Sequence, residues 1–217
     1  MKTQQAIEQT VEHVRALLLH ESSGHDWWHV YRVWKTAVRI GEEEGVDLFV
    51  VELAALLHDV ADWKFMGGDD SAGARVAREW LEGLGVEESV ISHVCGIITA
   101  LSFRGASVPT PMWSREGMVV QDADRLDALG AIGIARVFAY GAHRGQQIHD
   151  PDTPPGHHAT FEEYKQGNST SINHFYEKLL LLKDRMNTEA GKRIAAERHD
   201  FMVQYLERFF DEWKGNT

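Results

Sequence analysis

The segment that most constrains the fold is Leu53-Ala54-Ala55-Leu56-Leu57-His58-Asp59-Val60-Ala61-Asp62. An apolar run leads without a break into an imidazole and a carboxylate side by side. Leu53, Leu56, Leu57 and Val60 recur at the three-to-four spacing of a helix face that packs into a core. A carboxylate taken out of water is costly unless it is paired or holds a metal. His58 and Asp59 therefore need partners from elsewhere in the chain, and the fold must deliver them.

The rest of the chain reads as helices. Ala6 to His20 carries Ile7, Val11, Val14, Leu17 and Leu18 on one face. Asp26 is placed to cap a second helix running to about Glu44, closed by Gly45. Asp47 can cap a third, which carries Leu53 to Asp59. Gly67-Gly68 breaks the chain, and Asp69 or Ser71 starts a fourth helix through Leu84. Val86 to Ala100 makes a fifth. Arg104 to Met112, with Gly105, Pro109 and Pro111, reads as loop. Arg115 to Tyr140 reads as one long apolar helix with an acidic segment, Gln121 to Asp127. Gly141 to His158 is the longest irregular stretch, and a loop of that length is often functional. Ser169 to Met186 and Glu189 to Trp213 complete the series. No repeat and no run of strands interrupts it. The fold class expected is all-α: a single domain over 1–217, with a helical bundle over about 1–140 and a helical extension over about 141–217.

Composition narrows the function. The net charge of -11 argues against non-specific binding to nucleic acid polymers or anionic membranes. No apolar run approaches the roughly 20 residues of a membrane helix. Met1 to Ala6 lacks a signal-peptide pattern, so the expected location is the cytoplasm. One cysteine, Cys95, excludes an internal disulfide and a thiolate zinc cluster, and reads as a small core residue. Neither a glycine-rich phosphate loop nor a nucleophile elbow is present.

The partners of His58 and Asp59 can be sought among the remaining polar residues. His29 lies mid-helix beside Trp28 and Val30, where a histidine is more often a hydrogen-bonded core residue than a ligand. The His58-Asp59 pair changes the weighing, because imidazole plus carboxylate is a common mixed ligand set. Asp124 stands in an apolar helix near Asp122 and Asp127. Such crowded acids repel unless a cation or an arginine offsets them. His29, His58, Asp59 and Asp124, on three helices, could together hold one divalent metal. Asp62, one turn after Asp59, is either a solvent-facing helix-end residue or a general acid/base beside an activated water. Arg32, Lys64 and Arg125 each adjoin a suspected ligand. As surface cations they mean little; together they suggest a small phosphate ester as substrate. His25, beside the capping Asp26, could at best support a ligand from behind; His93 reads as packing or surface; and His157-His158 could bind metal only if their loop folds inward.

The ordered set His29, His58-Asp59, Asp124 resembles the HD-domain metal-dependent phosphohydrolases. The likeness extends to Gly24 through Val33, Ala55 through Asp62, Val120 through Ala131 and Asn173 through Leu180. These segments resemble a bacterial branch that includes nucleotide pyrophosphohydrolases. The resemblance implies an HD-domain helical bundle. Its last metal aspartate usually stands in an Ala-Asp-x-Leu context, which carries over to Ala123-Asp124-Arg125-Leu126 and favours Asp124, with Asp122 as the fallback. The acidic residue one turn after the pair is Asp62. Some branches carry two further histidines for a second metal; Val94 to Phe103 has none here, so one metal is expected.

The function expected is hydrolysis of nucleoside triphosphates to monophosphate and pyrophosphate by a metal-activated water. His29, His58, Asp59 and Asp124 are the expected ligands of one divalent ion, Mn²⁺, with Mg²⁺, Co²⁺ or Ni²⁺ as the other candidates. Asp62 serves the water, and Arg32, Lys64 and Arg125 serve the phosphates. The alternatives are a nucleotide phosphomonoesterase or phosphodiesterase, and a non-catalytic nucleotide or metal sensor.

Overall fold

The structure, a computed structural model, describes residues 2–19, 26–60, 72–101, 110–156 and 169–216. Among the described residues there are nine α-helices, one 3₁₀ segment and no strand. None of these helices is long and apolar enough to cross a membrane. In chain order they are α1 (Lys2–Leu18), α2 (Trp27–Glu44), α3 (Leu48–Leu57), α4 (Ala72–Gly83), α5 (Glu88–Ala100), α6 (Arg115–Asp127), α7 (Gly130–His143), α8 (Ser171–Glu177), the 3₁₀ segment Leu179–Arg185, and α9 (Glu189–Trp213). The chain divides into two compact units. One takes in α1 to α5 and α6 as far as Asp124; the other takes in α6 from Arg125 and everything after it.

The first unit is built around α3. A helix that is apolar nearly all round is driven into the middle of a core, and the exception in α3, Glu52, accepts from Trp34 Nε1 at 2.8 Å. Leu53, Ala54, Ala55, Leu56 and Leu57 are all fully buried, and α3 packs against α1, α2 and α5. By contrast, α2 is amphipathic: Val30, Val33, Ala37 and Ile40 are buried and Arg39, Glu42 and Glu43 face water. Its ends are those expected. The Asp26 carboxylate accepts the His29 N–H at 2.9 Å, and Gly45 closes the helix at φ 63°. Asp47 caps α3 through Phe49 N–H at 2.9 Å. Trp80 on α4 donates to the buried Thr10 on α1 at 3.0 Å, a polar tie across the unit.

Helix α3 is shorter than the periodicity predicts. It ends at Leu57; His58 is its C-cap and His58 to Val60 form a turn. The long helix expected over Arg115 to Tyr140 is two helices. Leu129 is extended (φ -115°, ψ 159°) and Gly130 has φ 72°, a conformation a β-carbon disfavours. The stretch Ser169 to Met186 divides likewise into α8 and the 3₁₀ segment, with Lys178 between them at φ -140°. Gly67-Gly68 and the proposed start of α4 at Asp69 or Ser71 lie outside the described residues.

In the second unit α9 packs on α7 and on the 3₁₀ segment, and α8 packs on both of these as well. Ile172, Phe175, Leu179, Leu182, Ile194 and Met202 are buried between them. Arg198 donates to the Leu126 carbonyl at 2.5 Å and Arg125 donates to the Arg185 carbonyl. The carbonyls that close a helix have no partner within it, so Arg198 from α9 satisfies one at the end of α6. Arg136 pairs with the buried Asp127.

Candidate metal centre

The end of α3 decides where the histidine–aspartate pair points. The last carbonyls of a helix lack intrahelical partners. Ala55 O is one of them, and His58 Nδ1 lies 2.8 Å from it. Nδ1 therefore carries the hydrogen and Nε2 is the nitrogen left to face outward from the turn. The sequence offered a signal for this contact that is easily overlooked, namely the three-residue spacing back from a histidine at a helix C-cap.

His58 Nε2 meets His29 Nε2 at 3.2 Å, the two rings standing edge to face at 65°. Asp59 Oδ2 lies 3.3 Å from both of these nitrogens. Asp124 Oδ1, from α6, lies 3.5 Å from His29 Nε2 and 4.0 Å from His58 Nε2. His29, His58 and Asp59 form a cluster whose donor atoms all lie within 4.8 Å of one another. His29 is buried, while the Asp124 side chain is 36% exposed, so the centre opens to solvent on the α6 side. Asp122, the fallback, is fully buried; two residues from Asp124, it projects from α6 about 160° away.

Two imidazole nitrogens and two carboxylate oxygens thus converge from α2, the α3 turn and α6. Adjacent ligands on an ion with bonds of about 2.1 Å sit about 3 Å apart. The separations among the His29, His58 and Asp59 donors match that spacing to within an ångström, Asp124 Oδ1 stands 3.5 and 4.0 Å from the two imidazole nitrogens, and the mixed nitrogen–oxygen set suits first-row divalent ions. Burial favours neutral His58, but the charge and hydrogen bond of Asp59, the charge of Asp124 and the Ala55 carbonyl outweigh it and raise its pKa to about 9. A cation in the centre would take the place of that proton.

The other expected site residues are distributed as follows. Arg32 lies on α2 one turn beyond His29 and is half-buried. Arg125 belongs to the second unit, where it holds the Arg185 carbonyl. Asp62 and Lys64 lie outside the described residues, as do His25, His157 and His158. His93 packs on Trp113 with ring centroids 4.8 Å apart, 3.6 Å from Glu116, and serves packing.

The family model described as HD domain matches residues 27–129, which include all four converging donors. YpgQ of Bacillus subtilis is 41% identical over 210 residues, 95% of this chain and 93% of its own. The crystal structure of an HD-superfamily hydrolase from Bacillus thuringiensis is 46% identical, covers 98% of both chains and superposes with a TM-score of 0.78. The chain belongs to the HD-domain superfamily of metal-dependent phosphohydrolases. The crystal structure of YpgQ in complex with ADP also superposes with a TM-score of 0.78, at 35% identity over 98% of this HD-domain chain and 97% of YpgQ.

Proposed function

We propose that this HD-domain chain hydrolyses nucleoside triphosphates to the monophosphate and pyrophosphate. The observation that carries the reading is the convergence of two imidazoles and two carboxylates at the opening of one compact unit. The step from phosphate ester to nucleotide is supported by the ADP complex of YpgQ. His29, His58, Asp59 and Asp124 would hold one divalent ion, with Mn²⁺ the first choice. When bound, such an ion supplies an acidified water and relieves charge on phosphoryl oxygens.

The chain's own residues do the rest. The Ala55 carbonyl fixes the His58 tautomer, and the Asp26 cap anchors the backbone of His29. Asp62, three residues after Asp59, orients and deprotonates the attacking water. The water oxygen bonds to the α-phosphorus, and the α–β bridging bond breaks with its electron pair passing to pyrophosphate. Arg32 and Lys64 offset the phosphate charge, while Arg125 is given over to the Arg185 carbonyl.

The test is turnover of a panel of nucleoside mono-, di- and triphosphates, with Mn²⁺ and after chelation, with the product identified. Metal-dependent release of pyrophosphate from a triphosphate is expected. Release of inorganic phosphate alone would reassign the chain as a phosphomonoesterase.

A further inference from the structure

Helix α2 carries more than His29. At 100° per residue, its buried residues Val30, Val33, Ala37 and Ile40 all project on one side of His29, within about 20–100° of it. On the other side Arg32 projects about 60° away and Trp28 about 100° away. His29 is thus the border residue between core and surface, and Arg32 and Trp28 are successive steps outward from it. Trp27 and Trp28 are neighbours with opposite fates: Trp27 is 4% exposed and Trp28 55%. The fold uses the first and leaves the second open.

The open indole is not loose. Tyr31 stands edge-on to it at 5.9 Å and 78°, and edge-on to Trp34 at 6.1 Å. Lys35 lies over the Trp34 ring at 3.6 Å. Trp28, Arg32, Lys35 and Arg39 share one face of α2, a basic and aromatic stripe on a chain of net charge -11. An apolar contact between copies of the chain would call for apolar neighbours around the indole. Cations beside it suit a ligand with a planar end and an anionic end.

We propose that Trp28 is the platform on which the nucleobase of the substrate stacks, with the phosphates running past Arg32 toward the centre at His29. This rests on the nucleotide reading above. Stacking on an open indole is tolerant of base identity, because every base presents a π-face. Trp28 is therefore a binding residue that raises affinity for nucleotides as a class.

The experiment compares wild type, Trp28→Ala and Trp28→Phe. Each is assayed with Mn²⁺ on nucleoside triphosphates and on inorganic tripolyphosphate, which has no base, and each is titrated calorimetrically with a non-hydrolysable triphosphate. Trp28→Ala is expected to raise the nucleotide KM and Kd about tenfold. The expected kcat stays within about twofold and tripolyphosphate hydrolysis is unchanged, while Trp28→Phe recovers most of the loss. Equal effects on nucleotide and tripolyphosphate, or a nucleotide Kd within about twofold of wild type, would overturn the platform. So would a change of solution mass with an unchanged nucleotide Kd, which would make Trp28 an interface residue. Nucleotide binding without turnover in the wild type would overturn the reaction alone, and the Kd comparison would still decide Trp28. No nucleotide binding at all would overturn both.

Discussion

His58 meets two demands. It closes α3 by taking up the Ala55 carbonyl, and it offers Nε2 to a point shared with His29, Asp59 and Asp124. Losing a group that merely orients a ligand costs about 10–100-fold in metal affinity. Replacing a ligand should cost more, so His58→Ala is expected to bind Mn²⁺ at least about 100-fold more weakly and to lose turnover, while its circular dichroism stays helical. Calorimetric titration checks this, and a variant that retains metal and activity would remove His58 from the centre. A second histidine, His174, contributes a pH dependence of its own. Burial, aided by the charge of Lys178, lowers His174 from 6.5 to about 3. As pH falls, the unfolded chain takes up a proton near 6.5 and the folded chain does not until about 3. Stability is therefore undiminished above pH 6.5 and is lost as pH falls through that window. Between pH 7.5 and 4.5 wild type should lose about 2 kcal/mol more than His174→Gln, read from denaturant midpoints. Equal losses would show that His174 is not the group responsible.

At the scale of elements the break between α6 and α7 matters most. It ends α6 just beyond Asp124, letting Asp127 pair with Arg136 and the Leu126 carbonyl meet Arg198. Gly130, at φ 72°, makes the break. A β-carbon there would also lie 3.1 Å from Arg198 Cγ. Gly130→Ala is expected to destabilise by about 1–3 kcal/mol, measured by urea denaturation with an unchanged slope. No loss would mean that the backbone relaxes out of the left-handed region. This break was hard to read from the sequence because Ala128 to Ala142 is apolar apart from Arg136 and rich in small residues, so that Gly130 does not stand out from Gly133 and Gly141. The caps were easier. Asp26, Gly45 and Asp47 stand where the caps of α2 and α3 are found, because a cap is a local hydrogen bond or a local φ and needs only its own neighbours.

At the scale of the molecule, the donors come from three elements separated by many residues, so an ion binding them ties α2, the α3 turn and α6 to one point. A ligand that binds only the folded state stabilises it by about 2.7 kcal/mol at a hundred times its Kd. Chelation should therefore lower the midpoint of thermal unfolding by about 5–10 °C, and Mn²⁺ should restore it. Scanning calorimetry reads both steps, and a midpoint indifferent to chelator and metal would argue against an ion in this centre. The sequence by itself determined the helical class, the N-caps of α2 and α3 and the Gly45 closure of α2, and it nominated His29, His58, Asp59 and Asp124 as donors to be tested, because periodicity, capping and ligand type are properties of short stretches. The tertiary structure decided what no short stretch contains. It ended α3 one residue before His58, brought Asp124 rather than Asp122 to within 3.5 Å of His29, committed Arg125 to the Arg185 carbonyl and left Trp28 open while burying Trp27. Each of these depends on which helices pack together, and packing is set by the whole chain burying its apolar surface at once.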